Sequence, residues 1–258
     1  MSSPVVNTRR LFNWLLPALE INQVCDIGSL DGSDALAFRV ALPRADILAF
    51  EANPENFHLM QSNAVLREKG IRLAPVAIAN RDGEAEFFVV KVDDENPCRG
   101  MSSLQRRRPR SDYSLVPTAV KTMRLDTVLG DRNVPELRLA LWIDVEGSAY
   151  EVIEGATRVL DKVQLLHVEV ETTAYIAEGQ RIYPEVSGLL DERGFVELAT
   201  DERSDKAQFN ALFVRRDLSP ETRAEVDRYL ALARLRLMVT GSVRKLVARF
   251  RPLMRGFA

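Results

Sequence analysis

Short runs of apolar residues, dominated by Val, Ile and Leu, alternate along this chain with longer stretches whose apolar positions recur at helical spacing. The first kind predicts strands at 23–29, 46–52, 71–79, 139–147 and 164–171, and the second predicts helices at 33–42, 54–70 and 149–163. Pro54 suits a first helical position and Gly70 a C-terminal cap. Strands that are apolar nearly throughout are what a parallel sheet covered on both faces requires. Alternation of strand and helix then gives a doubly wound α/β fold. Two late strands, at 194–199 and 210–216, come close together and predict an antiparallel edge.

Two stretches break the rhythm. Residues 93–118 are rich in Pro, Ser, Gly and Arg and have no period, as expected of a lid or acceptor loop. From Ser219 a capping serine and Pro220 open a helical tail, so the chain divides into an N-terminal helical segment (1–20), a main domain (21–217) and a tail (218–258).

Composition changes this picture little. The chain has 258 residues, 46% hydrophobic and 28% charged, enough for a sizeable core. No apolar run exceeds five residues, the length of LALWI at 139–143, which is far too short to span a bilayer. The first residues read as no secretion signal, and Cys25 and Cys98 are too few for a disulfide framework or a thiolate metal cage. A cytoplasmic protein is therefore expected. Charge adds an asymmetry: from Arg228 onward there are eight basic residues and no acidic one, while the preceding residues carry 27 basic and 37 acidic side chains. An acidic body argues against a nucleic-acid face, and no nucleic-acid motif is present.

The acids gather where such a sheet binds ligands, outside the carboxyl ends of its strands. Asp26, Glu51, Asp144, Glu146, Glu169 and Glu171 all fall at or near strand ends. Favourable helix dipoles explain one or two of them, but not LALWIDVE, which turns from wholly apolar to twice charged. The glycine loop narrows the ligand. Gly28 and Gly32 flank Leu30, which stands where a dinucleotide fingerprint needs its second glycine, and Asp31 and Asp34 would repel phosphate. S-adenosylmethionine, with a ribose and a positive charge but no phosphate, fits this loop better than NAD. Glu51 is spaced to hold its ribose diol.

The segments VCDIGSLDGSDAL, ILAFEANPENFHLMQSN, APVAIANRDGEAEFFV, SSL, KTMRLDTVL, LALWIDVEGSAYEVIEGATRVL and LLHVEVE occur in the order and spacing of the FkbM-type methyltransferases. Over residues 20–216 the chain resembles that family, most specifically in IDVEGSAYEVIEGA. The resemblance implies a seven-stranded class I methyltransferase fold of Rossmann-like type and methyl transfer to hydroxyl groups of sugars, polyketides and similar metabolites. It also implies a cofactor site of Asp26, Gly28, Ser29, Gly32, Glu51, Asn80 and Asp144. The chain departs from the family where Ser29 and Leu30 replace Ala and Asn, where Ala52 replaces Pro, and where Trp142 replaces a common lysine.

Hydroxyl methylation needs a base within hydrogen-bond reach of the acceptor. Asp144 is the first candidate, with Glu169 on the neighbouring strand and His167 two positions before it; a histidine inside a strand is more often a hydrogen-bonded core residue. Adjacent carboxylates also offer oxygen ligands to a cation such as Mg²⁺, but no tight ligand motif is present and no metal is assigned. The arginines at 106–110 suit a solvated loop or, in a lid, an anionic acceptor. The expected partner is a small-molecule acceptor, carbohydrate or lipid-linked. In the tail, Val243, Leu246, Val247, Phe250 and Met254 form a helical stripe flanked by basic residues. That stripe suits packing on the domain, a second subunit of a homodimer, or an anionic membrane at its inner face. The competing functions are an NAD-type oxidoreductase and a non-catalytic protein of the same fold that binds cofactor or docks on membrane.

Overall fold

The computed structural model describes residues 3–92, 99–130, 136–202 and 206–254, with the backbone alone for Arg99 and for 238–254. In chain order its elements are α1 (Thr8–Ala18), β1 (Gln23–Ile27), α2 (Ser33–Ala41), β2 (Asp46–Phe50), α3 (Pro54–Ser62), α4 (Ala64–Glu68), β3 (Arg72–Ala74), β4 (Ala77–Ile78) and β5 (Gly83–Lys91). Next come β6 (Ser114–Met123), α5 (Leu125–Leu129), β7 (Leu139–Ile143), α6 (Ala149–Glu154), β8 (Val163–Glu171), α7 (Tyr183–Glu192), β9 (Phe195–Thr200), β10 (Gln208–Arg215) and α8 (Pro220–Met254). Seven strands make one sheet in the order β3-β2-β1-β7-β8-β10-β9, parallel except for β10, which runs against both its neighbours. This is the doubly wound sheet with an antiparallel edge that the apolar pattern predicts. The order reverses between β1 and β7, which places a crevice at their carboxyl ends.

Alternating side chains feed two cores. Cys25, Ile27, Leu141, Ile143, Leu166 and Val168 pack against α5, α6 and α7 on one face. Val24, Ala140, Trp142 and Leu165 pack on the other face against α1, α2 and α8, where Leu11, Phe12, Leu15 and Leu16 form the buried stripe of α1. Asn7 caps that helix by accepting a hydrogen bond from the Arg10 amide at 2.8 Å.

Four expectations change. The helix predicted at 149–163 ends at Glu154, and a separate 3-10 turn follows at Val159–Lys162. The helix predicted at 54–70 is two helices, because Asn63 leaves helical geometry (φ −78°, ψ 104°) and caps α4 through the Val65 amide. The strand predicted at 71–79 is two short strands in different sheets, β3 in the large one and β4 in the small one. Residues 114–123, whose first half falls within the stretch expected to be loop, pair with Gly83–Lys91 in a long antiparallel ladder. Together with β4 these form a three-stranded sheet the sequence pattern concealed. The backbone of α8 is helical to Met254, and the stripe of Val243, Leu246, Val247, Phe250 and Met254 lies outside the described side chains. Among the described residues, no helix is long and apolar enough to cross a membrane.

Candidate active site

The loop after β1 is built by close approach. Gly28 (φ +86°) lies so near β7 that a Cβ there would sit 1.9 Å from the Asp144 carbonyl oxygen. The Gly28 and Ser29 amides both donate to the Phe50 carbonyl at 3.0 Å, and the Asp144 amide donates to that of Ile27 at 2.9 Å. These bonds gather the ends of β1, β2 and β7 around one point. Leu30, at φ 58°, turns its amide to Glu51 Oε2 at 2.7 Å, and the Asn53 amide donates to Glu51 Oε1 at 2.7 Å. Burial raises the Glu51 carboxyl to about 7, against the lowering pull of these amides. The Asn56 side chain and the Ala52 amide donate to the same carboxyl, so a ligand hydroxyl would join or replace one of four protein donors.

Glu51 and Gly28 open into a cleft of about 260 Å³. Its lining divides into apolar side chains, Phe50 and Val76 with Ala77, Ile78 and Phe87 from the small sheet, and the acidic ones of Asp144, Glu146 and Glu169. A ligand with a flat apolar part and a cationic part matches that division. Gly28, which lets the loop after β1 press against the end of β7, and the Glu51 carboxyl facing the same cleft make the residues present fit for such a group.

The acidic side chains are crowded. Glu146, Glu169 and Glu171 bring carboxylate oxygens within 4.8 Å of one another, and Asp144 bonds to Glu169 across adjacent strands. Burial pushes Glu169 upward, reinforced by the Asp144 and Glu146 charges; burial also raises Asp144, opposed by Glu169 and by the Arg9 charge. Two carboxyls in hydrogen-bond contact share a proton, and burial favours the protonated form of both. Glu146 (φ 48°) pairs with Arg107, which is only 6% exposed and also donates to the Met101 carbonyl at 2.6 Å. Ser103 Oγ donates to the Glu146 carbonyl at 2.6 Å. The described part of the stretch read as a lid is thus fastened to the end of β7. Two of its other arginines are occupied differently: Arg106 lies over the Phe88 ring and Arg110 pairs with Asp112 at 2.8 Å.

Not every expected residue reaches this cleft. Asp26 is buried beneath the loop, accepting from Ser29 Oγ at 2.6 Å, and burial raises it to about 8. Gly32 backs onto Leu66 of α4, where a Cβ would come within 2.6 Å of the side chain. Asp26, Ser29 and Gly32 therefore shape the loop from behind rather than line the cleft. Asn80 is displaced altogether: exposed on the surface, it donates to Glu154 at 2.7 Å, because Gly155 presses the end of α6 against the Ala79 carbonyl and leaves Asn80 outside. His167 lies further down the sheet, 2% exposed, stacked 3.5 Å from Trp142, with Nε2 3.0 Å from Thr8 Oγ1. Burial and the Arg9 charge push it well below 6.5, so the imidazole is neutral. The sequence pattern missed Arg9, which pairs with Asp34, and could not choose Arg107 from a run of arginines.

Residues 26–197 match the family model described as the methyltransferase FkbM domain. A curated relative, the 2-O-methyltransferase NoeI of Sinorhizobium fredii (strain NBRC 101917 / NGR234), is 31% identical over 153 residues, covering 57% of this chain and 62% of that protein, less than two thirds of its length. Among solved structures, a methyltransferase FkbM from Methylobacillus flagellatus KT aligns with TM-score 0.47 and 14% identity over 76% of this chain and 44% of that one. The N-terminal domain of EvdMO1 with SAH bound aligns with TM-score 0.45 and 12% identity over 81% of each chain. With the domain model spanning well over half of its residues, the chain belongs to the FkbM methyltransferase family.

Proposed function

We propose that the protein transfers a methyl group from S-adenosylmethionine to a hydroxyl of a sugar or another small hydroxylated metabolite. The observation that carries this is the pairing of Asp144 with Glu169 in the same cavity as Glu51, Gly28 and the apolar side chains. The name of the curated relative, a 2-O-methyltransferase, supports oxygen as the acceptor atom. S-adenosylmethionine, when bound, supplies an electrophilic methyl group on a positively charged sulfur.

In this reading Glu51 accepts hydrogen bonds from the ribose hydroxyls, and Gly28 lets the backbone approach the amino-acid part. The apolar wall of Val76, Ala77, Ile78 and Phe87 covers the base. The acids favour the cationic part and keep it aligned for in-line attack. Asp144 takes the proton of the acceptor hydroxyl, and Glu169 holds its orientation through their hydrogen bond. Calorimetry with S-adenosylhomocysteine tests the cofactor assignment: the native protein binds, and Glu51→Ala binds about tenfold or more weakly, as befits loss of charged hydrogen bonds of roughly 1.5–3 kcal/mol each. Binding of NADH instead overturns it. Asp144→Asn should keep S-adenosylhomocysteine affinity and lose about 10²–10⁴-fold in turnover of a methyl acceptor.

A further inference from the structure

Asp144 belongs to two cavities. Besides the cleft it shares with Glu51, it borders a second one of about 270 Å³, between the first turn of α1 (Asn7, Thr8 and Arg9) and Asp201 with Asn210 near the facing ends of β9 and β10. Trp142 and His167 also line this second cavity. We propose that it is the acceptor subsite, suited to a neutral polyhydroxylated molecule such as a pyranose, and that the start of α1 selects the occupant. The proposal rests on the methyl-transfer reading of the first cleft.

Position is the first argument. A molecule seated between α1 and Asn210 lies against the carboxylate assigned as base, without displacing anything held by Glu51. Chemistry is the second. Sugar hydroxyls donate and accept at once, and the lining holds both kinds of group: the Asn7 amide, whose oxygen caps α1, the Thr8 hydroxyl beside His167, and an Asn210–Asp201 pair in which the Asn210 backbone and side-chain amides donate to the two Asp201 oxygens at 2.7 and 2.8 Å. His167 adds an unmet demand, since Nε2 faces Thr8 while the buried Nδ1 has no partner in the protein. Charge is the third. Arg9, the cation among the described lining residues, is paired with Asp34, and its neighbours in the cavity include the carboxyls of Asp144 and Asp201. An anionic acceptor finds no free counter-charge there. Sequence placement is the fourth. Asn7, Thr8, Arg9, Asp201 and Asn210 fall outside the matched domain, residues 26–197, whereas Trp142, Asp144 and His167 of the same lining fall inside it, as do Glu51 and Glu169. Shared chemistry thus lies in the domain, and recognition draws also on what flanks it.

The chain has two tryptophans, Trp14 and Trp142, so indole ¹⁵N labelling gives two resolvable reporters, assigned with Trp14→Phe. Methyl glycosides of glucose, galactose, mannose and rhamnose are titrated into the full-length protein with and without S-adenosylhomocysteine, and inorganic phosphate is titrated in parallel. The expected result is a saturating shift of the Trp142 indole by at least one glycoside, present in both forms, with the Trp14 signal unmoved. Arg9→Met and Thr8→Val should each weaken that binding by about tenfold while leaving S-adenosylhomocysteine affinity unchanged, which also reports that both variants fold. No glycoside response, competition between glycoside and S-adenosylhomocysteine, glycoside binding unaltered in both variants, or a response to phosphate alone overturns the proposal. Should glycosides bind as expected while S-adenosylhomocysteine does not bind the native protein, the carbohydrate site stands and the methyl-transfer reading falls.

Discussion

Leu30 holds a left-handed backbone conformation that costs a branched side chain roughly 1–2 kcal/mol, and Asn adopts it more readily. Asn is the residue usual at this position in the family the chain resembles. Leu30→Asn should therefore raise unfolding free energy by about 1 kcal/mol in a denaturant titration. Cofactor affinity should survive, because the group that meets Glu51 is the backbone amide of residue 30. Gly28 behaves oppositely. A Cβ there collides with the backbone of Asp144, not with a flexible side chain, so Gly28→Ala should abolish S-adenosylhomocysteine binding or folding, whereas Gly70→Asn, with nothing within 4 Å, should be tolerated. Glu51 sets a pH dependence. Its carboxyl is raised from 4.5 to about 7, so it is protonated below that pH and then offers the ribose hydroxyls a weaker acceptor. S-adenosylhomocysteine affinity measured by calorimetry should rise with pH through about 7 and level off above it; a profile flat from pH 6 to 8 would separate Glu51 from the ribose.

The elements that hold these residues were unequally legible. The strands at the centre of the sheet could be read because LALWI and VCDI are buried on both faces, and the acids at their ends could be placed at one edge for the same reason. Strands β5 and β6 could not. GEAEFFVVK and SLVPTAVKTM expose many of their residues, and Pro117 sits where β6 has only β5 beside it, a position that tolerates a missing amide. With that small sheet hidden, Phe87 was hidden too, and with it one wall of the cleft. Asn80 failed for a related reason: the local motif gives no sign that Gly155 will crowd the segment from a distance of more than seventy residues. The loop that carries Arg107 illustrates what spacing cannot supply, because only packing shows which arginine reaches Glu146. Arg107→Met should leave Glu146 as an uncompensated buried charge and cost about 3–5 kcal/mol. The double variant with Glu146→Gln should recover much of that loss, and a cycle measured by chemical denaturation that shows no coupling would detach the loop from the end of β7.

Across the whole molecule, the raised carboxyls act together. Asp26, Glu51 and Glu171 release their protons at about 8, 7 and 7 in the folded chain and near 3.8, 4.5 and 4.5 when unfolded. Above the ordinary imidazole value of 6.5, where buried His167 no longer contributes, the folded state binds more protons than the unfolded one, so stability falls as pH rises. Between pH 6.5 and 8.5 these three carboxyls alone should cost the ligand-free protein on the order of 2–4 kcal/mol, with Glu169 acting in the same direction, read as a falling melting temperature. Stability that climbs over this range would mean the acids are better solvated than their burial implies. The few residues ahead of α1 have a different consequence. The Val6 amide donates to the Thr200 carbonyl at 2.8 Å and the Thr200 amide to the Pro4 carbonyl at 3.1 Å, so Val5 bridges the outer side of β9, the last strand of the large sheet. Unpaired amides and carbonyls on such a strand recruit strands from other molecules. The stretch from Pro4 to Val6 occupies that edge at its Thr200 end. A protein expressed without its first six residues should form concentration-dependent oligomers by light scattering even where its helices and its cofactor cleft are intact.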